Sequence, residues 1–338
     1  MKLIDFFSQR SMSRVHNASL SSQRACSVKK DTGKTALKGL WTVLLLSMIP
    51  SGGAFAAITG TVKAIGVENE YADVISQIGG KYAQVTAIET DPNTDPHTFE
   101  ASPQIAANIA HTDLIVKNGI GYDSWTDKII AAAPNPDRKV IDVQQLLGLP
   151  DNTPNPHLWY NPTTMPAVAK AIAADLSSLM PTQAAYFQAN LKKFDASLTP
   201  WTNAVAAFKK DHGDTPVAVT EPVADYLLKA AGANIATPFN LEAAVMNGTD
   251  PSPQDITAQN ALFNDHKVKV FVYNQQVTDP LTQSFLSLAK QNSIPVVGVY
   301  ETMPTPGYHY QSWMLAEINA LNKAVTDNVS TEALKAGQ

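Results

Sequence analysis

Two histidines and two glutamates, far apart along the chain, are the residues whose types and settings could do chemistry together. His97 sits in DPNTDPHTFEAS (91–102) and His157 in NTPNPHLWYNP (152–162). Glu221 directly follows the β-rich run VAVT, and Glu301 directly follows VVGVY. Neutral imidazole nitrogens and carboxylate oxygens make a mixed donor set suited to a divalent transition ion. Each histidine is preceded by a proline, Pro96 or Pro156, which narrows the conformations of its loop before any ion arrives. Taken singly, each residue also has a plainer reading. Glu221 could be a charge at the N-terminus of the following helix, Glu301 could brace a turn, and a histidine in a proline-rich loop is commonly a surface residue. Of the others, His16 lies near the N-terminus and His111, His212 and His266 fall at predicted helix ends. His309, in GYHYQSW, is kept as an alternative ligand.

What would bring four such residues together is the position they share, just past the ends of predicted strands. In parallel sheets, ligands gather outside the carboxyl ends of the strands. From residue 58 the sequence alternates short β-rich runs with helical ones, the grammar of α/β units. Strands are expected at 61–67, 82–89, 113–119 and 138–143, and again at 215–220, 268–274 and 294–300. Helices are expected at 70–80 and 102–111, then at 222–232, 252–266 and 282–292. Both SPQIAANIAHTDLIVKNG and SPQDITAQNALFNDHKVKVFVYN read as helix, turn and strand opening on Ser-Pro-Gln, so two similar halves are predicted. Residues 182–211 lack glycine, hold one proline (Pro200) and repeat apolar residues at helical spacing. One long rigid helix kinked at Pro200 is expected to join the halves. The predicted fold is therefore α/β with two lobes, each a parallel sheet flanked by helices. The expected divisions are a leader and signal peptide at 1–56, an N-terminal lobe at 57–180, the linking helix at 181–211 and a C-terminal lobe at 212–338.

The net charge of −5 and the absence of any basic run in the body of the chain exclude a nucleic-acid-binding surface. Lys29, Lys30, Lys34 and Lys38 precede the apolar run Leu40 to Ile49, and GGAFAA follows with an A-x-A pattern at Ala54 and Ala56, which reads as a cleavable signal peptide. The apolar run is about half the roughly 20 residues of a bilayer span. The only cysteine, Cys26, precedes that run. No thiolate is then expected among the metal ligands, and a periplasmic protein without a lipid anchor is predicted.

At these residues the chain resembles the zinc- and manganese-type metal-binding solute-binding proteins of ABC transporters. The resemblance runs from about residue 58 to 330 and rests on DPHTFEASPQIAANIAHTDLIVKNGIGYDSWTDKI, NPHLWYNP, VAVTEPVADYLLKAAG, DPSPQDITAQNALFNDHKVKVFVYNQQ and PVVGVYETMPTPGYHYQSWM. It implies two α/β lobes on a rigid helix with the metal buried between them. It also implies His97 and His157 as the ligands of the first lobe, Glu221 as the third ligand and Glu301 as the fourth. Aspartate is frequent in the family's last ligand loop, where this chain has YETMPTPG, and the histidine-rich loop of many zinc receptors is absent. The function implied is a monomeric receptor, not an enzyme, that captures Mn2+ or Zn2+ (Fe2+ being less favoured) for a permease of the inner membrane. Competing readings are a receptor for a metal chelate or tetrapyrrole on the same fold, with Trp125, Trp159 and Trp313 to inspect, and a secreted metal-dependent hydrolase.

Overall fold

Strands and helices alternate through the described residues, 60–304 and 306–334, of the computed structural model. The N-terminal half runs β1 (Val62–Glu68), α1 (Asn69–Gly79), β2 (Ala83–Glu89), α2 (Pro103–Ala110), β3 (Leu114–Lys117), α3 (Trp125–Ala132), β4 (Lys139–Asp142), α4 (Val143–Leu146) and α5 (Thr164–Leu179). Helices α6 (Ala184–Ser197) and α7 (Thr199–His212) follow. The C-terminal half is β5 (Pro216–Val219), α8 (Asp225–Ala230), β6 (Asn234–Ile235), α9 (Phe239–Met246), α10 (Pro253–Asn264), β7 (Val270–Asn274), α11 (Pro280–Gln291), β8 (Val296–Val299) and α12 (Tyr310–Asp327). All strand pairings are parallel, in the orders β2-β1-β3-β4 and β6-β5-β7-β8. The two halves thus share one topology, as their repeated sequence pattern predicts. The Ser-Pro-Gln echo is the start of α2 and of α10, where Ser102 accepts from the N–H of Ile105 and Ser252 from that of Asp255, with proline in the first turn of each.

Side-chain alternation along the strands divides the core. Val62, Ala64, Leu114 and Val116 of the first sheet join Val217, Val219, Val270, Val272, Val297 and Val299 of the second in one apolar cluster that spans both halves. The intervening residues face the other way: Ile65, Val67 and Ile115 pack with Ile109 of α2, and Ala218, Phe271, Tyr273 and Val296 pack with Phe263 and Phe285. Strand β1 and helix α1 approach so closely that a Cβ on Gly66 would lie 2.2 Å from the backbone nitrogen of Ala72. Only glycine fits there.

The helical connection is present but not continuous. Pro200 has no N–H to offer the carbonyl of Ala196, and the chain restarts as a second helix after Leu198, with Pro200 in the first turn of α7. The expected helix at 222–232 begins only at Asp225, because the chain bends at Glu221 and Pro222 and turns through Val223 and Ala224. Strand β6 and helices α3, α4, α5, α9 and α12 carry no sequence expectation. The leader expected at 1–56 lies outside the described residues.

Candidate metal centre

Loop 90–96 after β2 leads into a single turn, Pro96–Thr98, that presents His97. Two aspartates brace it. Asp91 accepts from the Asn93 N–H (2.9 Å) and the Thr94 hydroxyl (2.9 Å), and Asp95 accepts from the N–H of His97 itself (2.8 Å). The stiffness assigned to the prolines is therefore shared with these Asx turns. His157 is fully buried and fixed by Asn155, whose side-chain oxygen accepts the His157 N–H (3.0 Å) and lies 2.8 Å from Nδ1. Asn155 Nδ2 donates to the Pro222 carbonyl (2.6 Å), so its oxygen is the acceptor in both other contacts. Nδ1 of His157 consequently carries hydrogen, and Nε2 turns toward the centre.

Glu301, just beyond β8, is the point of convergence. Its Oε2 lies 3.0 Å from His157 Nε2 and 3.2 Å from His97 Nε2, and it accepts from the Tyr122 hydroxyl at 3.0 Å. The donor atoms of His97, His157 and Glu301 all fall within 4.8 Å of one another, the one such group of three among the described residues. Glu221, just beyond β5, stands beside this trio without joining it. Asn274 at the end of β7 links the two acids, its Nδ2 donating to Glu221 Oε1 (2.7 Å) and Glu301 Oε1 (2.8 Å). Glu221 Oε2 is buried and has no partner. Gln276 then holds the Glu301 loop: its Oε1 accepts from the N–H of Glu301 (2.6 Å) and of Thr302 (2.8 Å).

The electrostatics separate the two acids. Burial alone would raise Glu301, but His157 and then His97 hold it far below the ordinary carboxylate range. Burial pushes Glu221 well above that range, and the charge of Glu301 pushes it further. The two acids are thus driven apart: the surroundings favour the charged form of Glu301, between two imidazoles, and the neutral form of Glu221.

Three of the four predicted residues meet directly, and the fourth is one amide away. His309 does not reach the centre: it caps α12, with Nδ1 2.7 Å from Asp73 and its side chain 67% exposed. Trp159 and Trp313 are wholly buried, and Trp125 packs at a tilt against Phe99, so these rings serve packing and not an open ligand cleft. Sequence reasoning missed Asn155, Tyr122, Asn274 and Gln276. The amides of VYNQQ at the predicted end of a strand were the available signal.

Two parallel α/β halves with imidazole and carboxylate groups meeting between them define the class, the metal-binding solute-binding proteins of ABC transporters. The chain belongs to the family described as ZnuA, "Zinc-uptake complex component A periplasmic", whose model matches residues 68–324. It is 25% identical over 272 residues to the metal ABC transporter substrate-binding lipoprotein FimA of Streptococcus parasanguinis, covering 76% of this chain and 85% of FimA. It is 28% identical over 169 residues to the manganese ABC transporter substrate-binding lipoprotein PsaA of Streptococcus mitis, covering 46% of this chain and 54%, about half, of PsaA. A crystal structure of ZnuA superposes with a TM-score of 0.64 at 21% identity, over 79% of this chain and all of that one, and shows the same fold.

One expectation is corrected by these relatives. A periplasmic protein without a lipid anchor was predicted, whereas FimA and PsaA are both lipoproteins. That prediction rested on where Cys26 falls relative to one apolar run, and both lie outside the described residues.

Proposed function

We propose that this protein is a high-affinity receptor for a divalent transition metal, Mn2+ or Zn2+, which it delivers to the permease of an ABC importer. His97, His157, Glu221 and Glu301 are the ligands in this reading. The observation that carries it is the meeting of two imidazole Nε2 atoms, from the buried His157 and the partly exposed His97, with the buried Glu301 Oε2. The unpartnered Oε2 of Glu221 alongside supports the fourth ligand, since a buried oxygen with no hydrogen bond is costly unless a cation or a proton meets it. Binding, not turnover, is the chemistry: a four-donor enclosure keeps no open position for an activated water, which catalytic zinc sites need. All four donors come from a single chain, which suits a monomer, and the net charge of −5 gives no footing for nucleic acid.

Titration of metal-stripped protein with Mn2+ and Zn2+ tests the assignment. One ion should bind per chain, and His157→Ala should weaken binding by more than about 100-fold, beyond what loss of an outer hydrogen-bond partner costs. A wild-type chain that binds neither ion, or a His157→Ala variant as tight as wild type, would sink it.

A further inference from the structure

Asn274 is the polar side chain that bonds both acids of the centre, and its position bears on which ion fits. It is completely buried at the exit of β7. Its backbone N–H donates to the Thr220 hydroxyl (3.0 Å), and its side-chain oxygen accepts the N–H of Gln276 (3.0 Å). The amide orientation follows from the second bond, so Nδ2 is the atom between the acids, giving one hydrogen to Glu221 Oε1 (2.7 Å) and one to Glu301 Oε1 (2.8 Å).

Resting on the receptor reading above, we propose that Asn274 is a specificity-determining residue: by bonding one oxygen of each carboxylate it fixes their orientation, so that each offers the ion a single oxygen and the ion meets four donors. The atoms left are Glu221 Oε2, Glu301 Oε2 and the Nε2 atoms of His97 and His157. A carboxylate that turned to chelate through both oxygens would abandon Asn274 and leave a buried amide hydrogen without an acceptor. Two nitrogens and two single oxygens satisfy zinc, which is at ease with four tetrahedral ligands. Manganese favours more oxygen ligands in an octahedral arrangement, and this clamp resists the carboxylate rotation that would bring two of them in. The clamp acts in the same direction as zinc's higher intrinsic affinity.

X-ray absorption and competition titration together decide the point. Zinc bound to the wild-type protein should show four nitrogen or oxygen donors with each carboxylate contributing one. In Asn274→Ala the number of donors should rise, and the zinc-over-manganese preference should fall by about tenfold or more, within the range that outer hydrogen-bond partners control. A loss of packing alone would weaken both ions alike and leave that ratio unmoved. Five or six donors with a bidentate carboxylate in the wild-type zinc complex would overturn the proposal, and that measurement needs no variant to fold. An Asn274→Ala protein that binds one ion per chain with an unchanged preference would overturn it too. In both of those results the wild type still binds metal, so the receptor reading stands; a wild type that takes up no transition metal would instead remove the receptor reading itself.

Discussion

His97 and His157 face the same oxygen of Glu301, yet their surroundings drive their basicities apart. For His157, fully enclosed, burial lowers the pKa and the nearby carboxylate only partly restores it. For His97, whose side chain is 22% exposed, burial also pulls down, but the hydrogen bond and charge of Glu301, joined by Asp95, win and leave it raised above its ordinary 6.5. Glu221 is raised well above its ordinary range as well, by burial first and then by Glu301. With the proposed ligand set, a metal ion must displace the protons on both raised groups, because coordination needs their lone pairs. Apparent affinity should therefore climb as pH rises through about 6.5 and go on climbing above it, and protons should be released on binding. Glu301, already ionised, adds nothing to that slope in this window. Calorimetry at pH 6.5 in buffers of different ionisation enthalpy would count the protons; none released, with affinity flat from about pH 5.5 to 8, would contradict this account.

Gln276 ties together the two loops that carry His97 and Glu301. Besides accepting from the Glu301 and Thr302 N–H groups, it donates through Nε2 to the Thr94 carbonyl (2.8 Å) and to the Thr302 hydroxyl (3.1 Å). Two clefts border the His97 loop, one of about 240 Å³ lined by Glu89, Thr94 and Phe99 and another of about 650 Å³ lined by Asp95 and Pro251. The Thr94 bond is thus a tether on a segment with space to move. Gln276→Met keeps the bulk and removes all four bonds, and should speed metal dissociation by roughly tenfold while hastening amide exchange across 93–98. Unchanged rates in both measurements would show that the tether holds nothing. The sites of His97, Glu221 and Glu301 were legible because β-branched runs such as VAVT and VVGVY mark strand ends without tertiary information. Asn274 and Gln276 were not, since an amide's role depends on which groups the folded chain brings to it. The break at Leu198 was half legible: Pro200 signals it, but the missing N–H disrupts the helix before the proline and not at it. The two-residue β6 is too short for any periodicity to register.

Both sheets share one apolar core, and hydrogen bonds cross between the halves along its length. Tyr160 donates to the Tyr300 carbonyl (2.8 Å), Tyr310 donates to the Trp159 carbonyl (2.6 Å), and Asn69 and Met303 bond reciprocally at 2.9 Å. Wide opening of the halves would expose this core, so motion at the centre belongs to its loops. Glu317 on α12 sits within that junction, accepting from Trp313 Nε1 (2.9 Å) and facing the Tyr160 hydroxyl (3.4 Å), with its other oxygen unpartnered. Burial pushes its carboxyl from 4.5 up to about 8, more than these two bonds pull it down. Between those pH values the folded chain keeps a proton that the unfolded chain has lost, so stability falls as pH rises through the window and levels off above it. The loss amounts to several kcal/mol, on the order of 1.4 kcal/mol for each unit separating the folded and unfolded pKa values. Glu317→Gln keeps an acceptor for Trp313 and removes the ionisation. In urea unfolding of metal-stripped protein, the variant should match wild type near pH 4.5 and exceed it by several kcal/mol at pH 8. Glu89 and Glu242, also pushed up to about 8 by burial, are common to both proteins and cancel in the difference. A variant whose margin over wild type is the same at both pH values would mean that Glu317 is already ionised in the native junction.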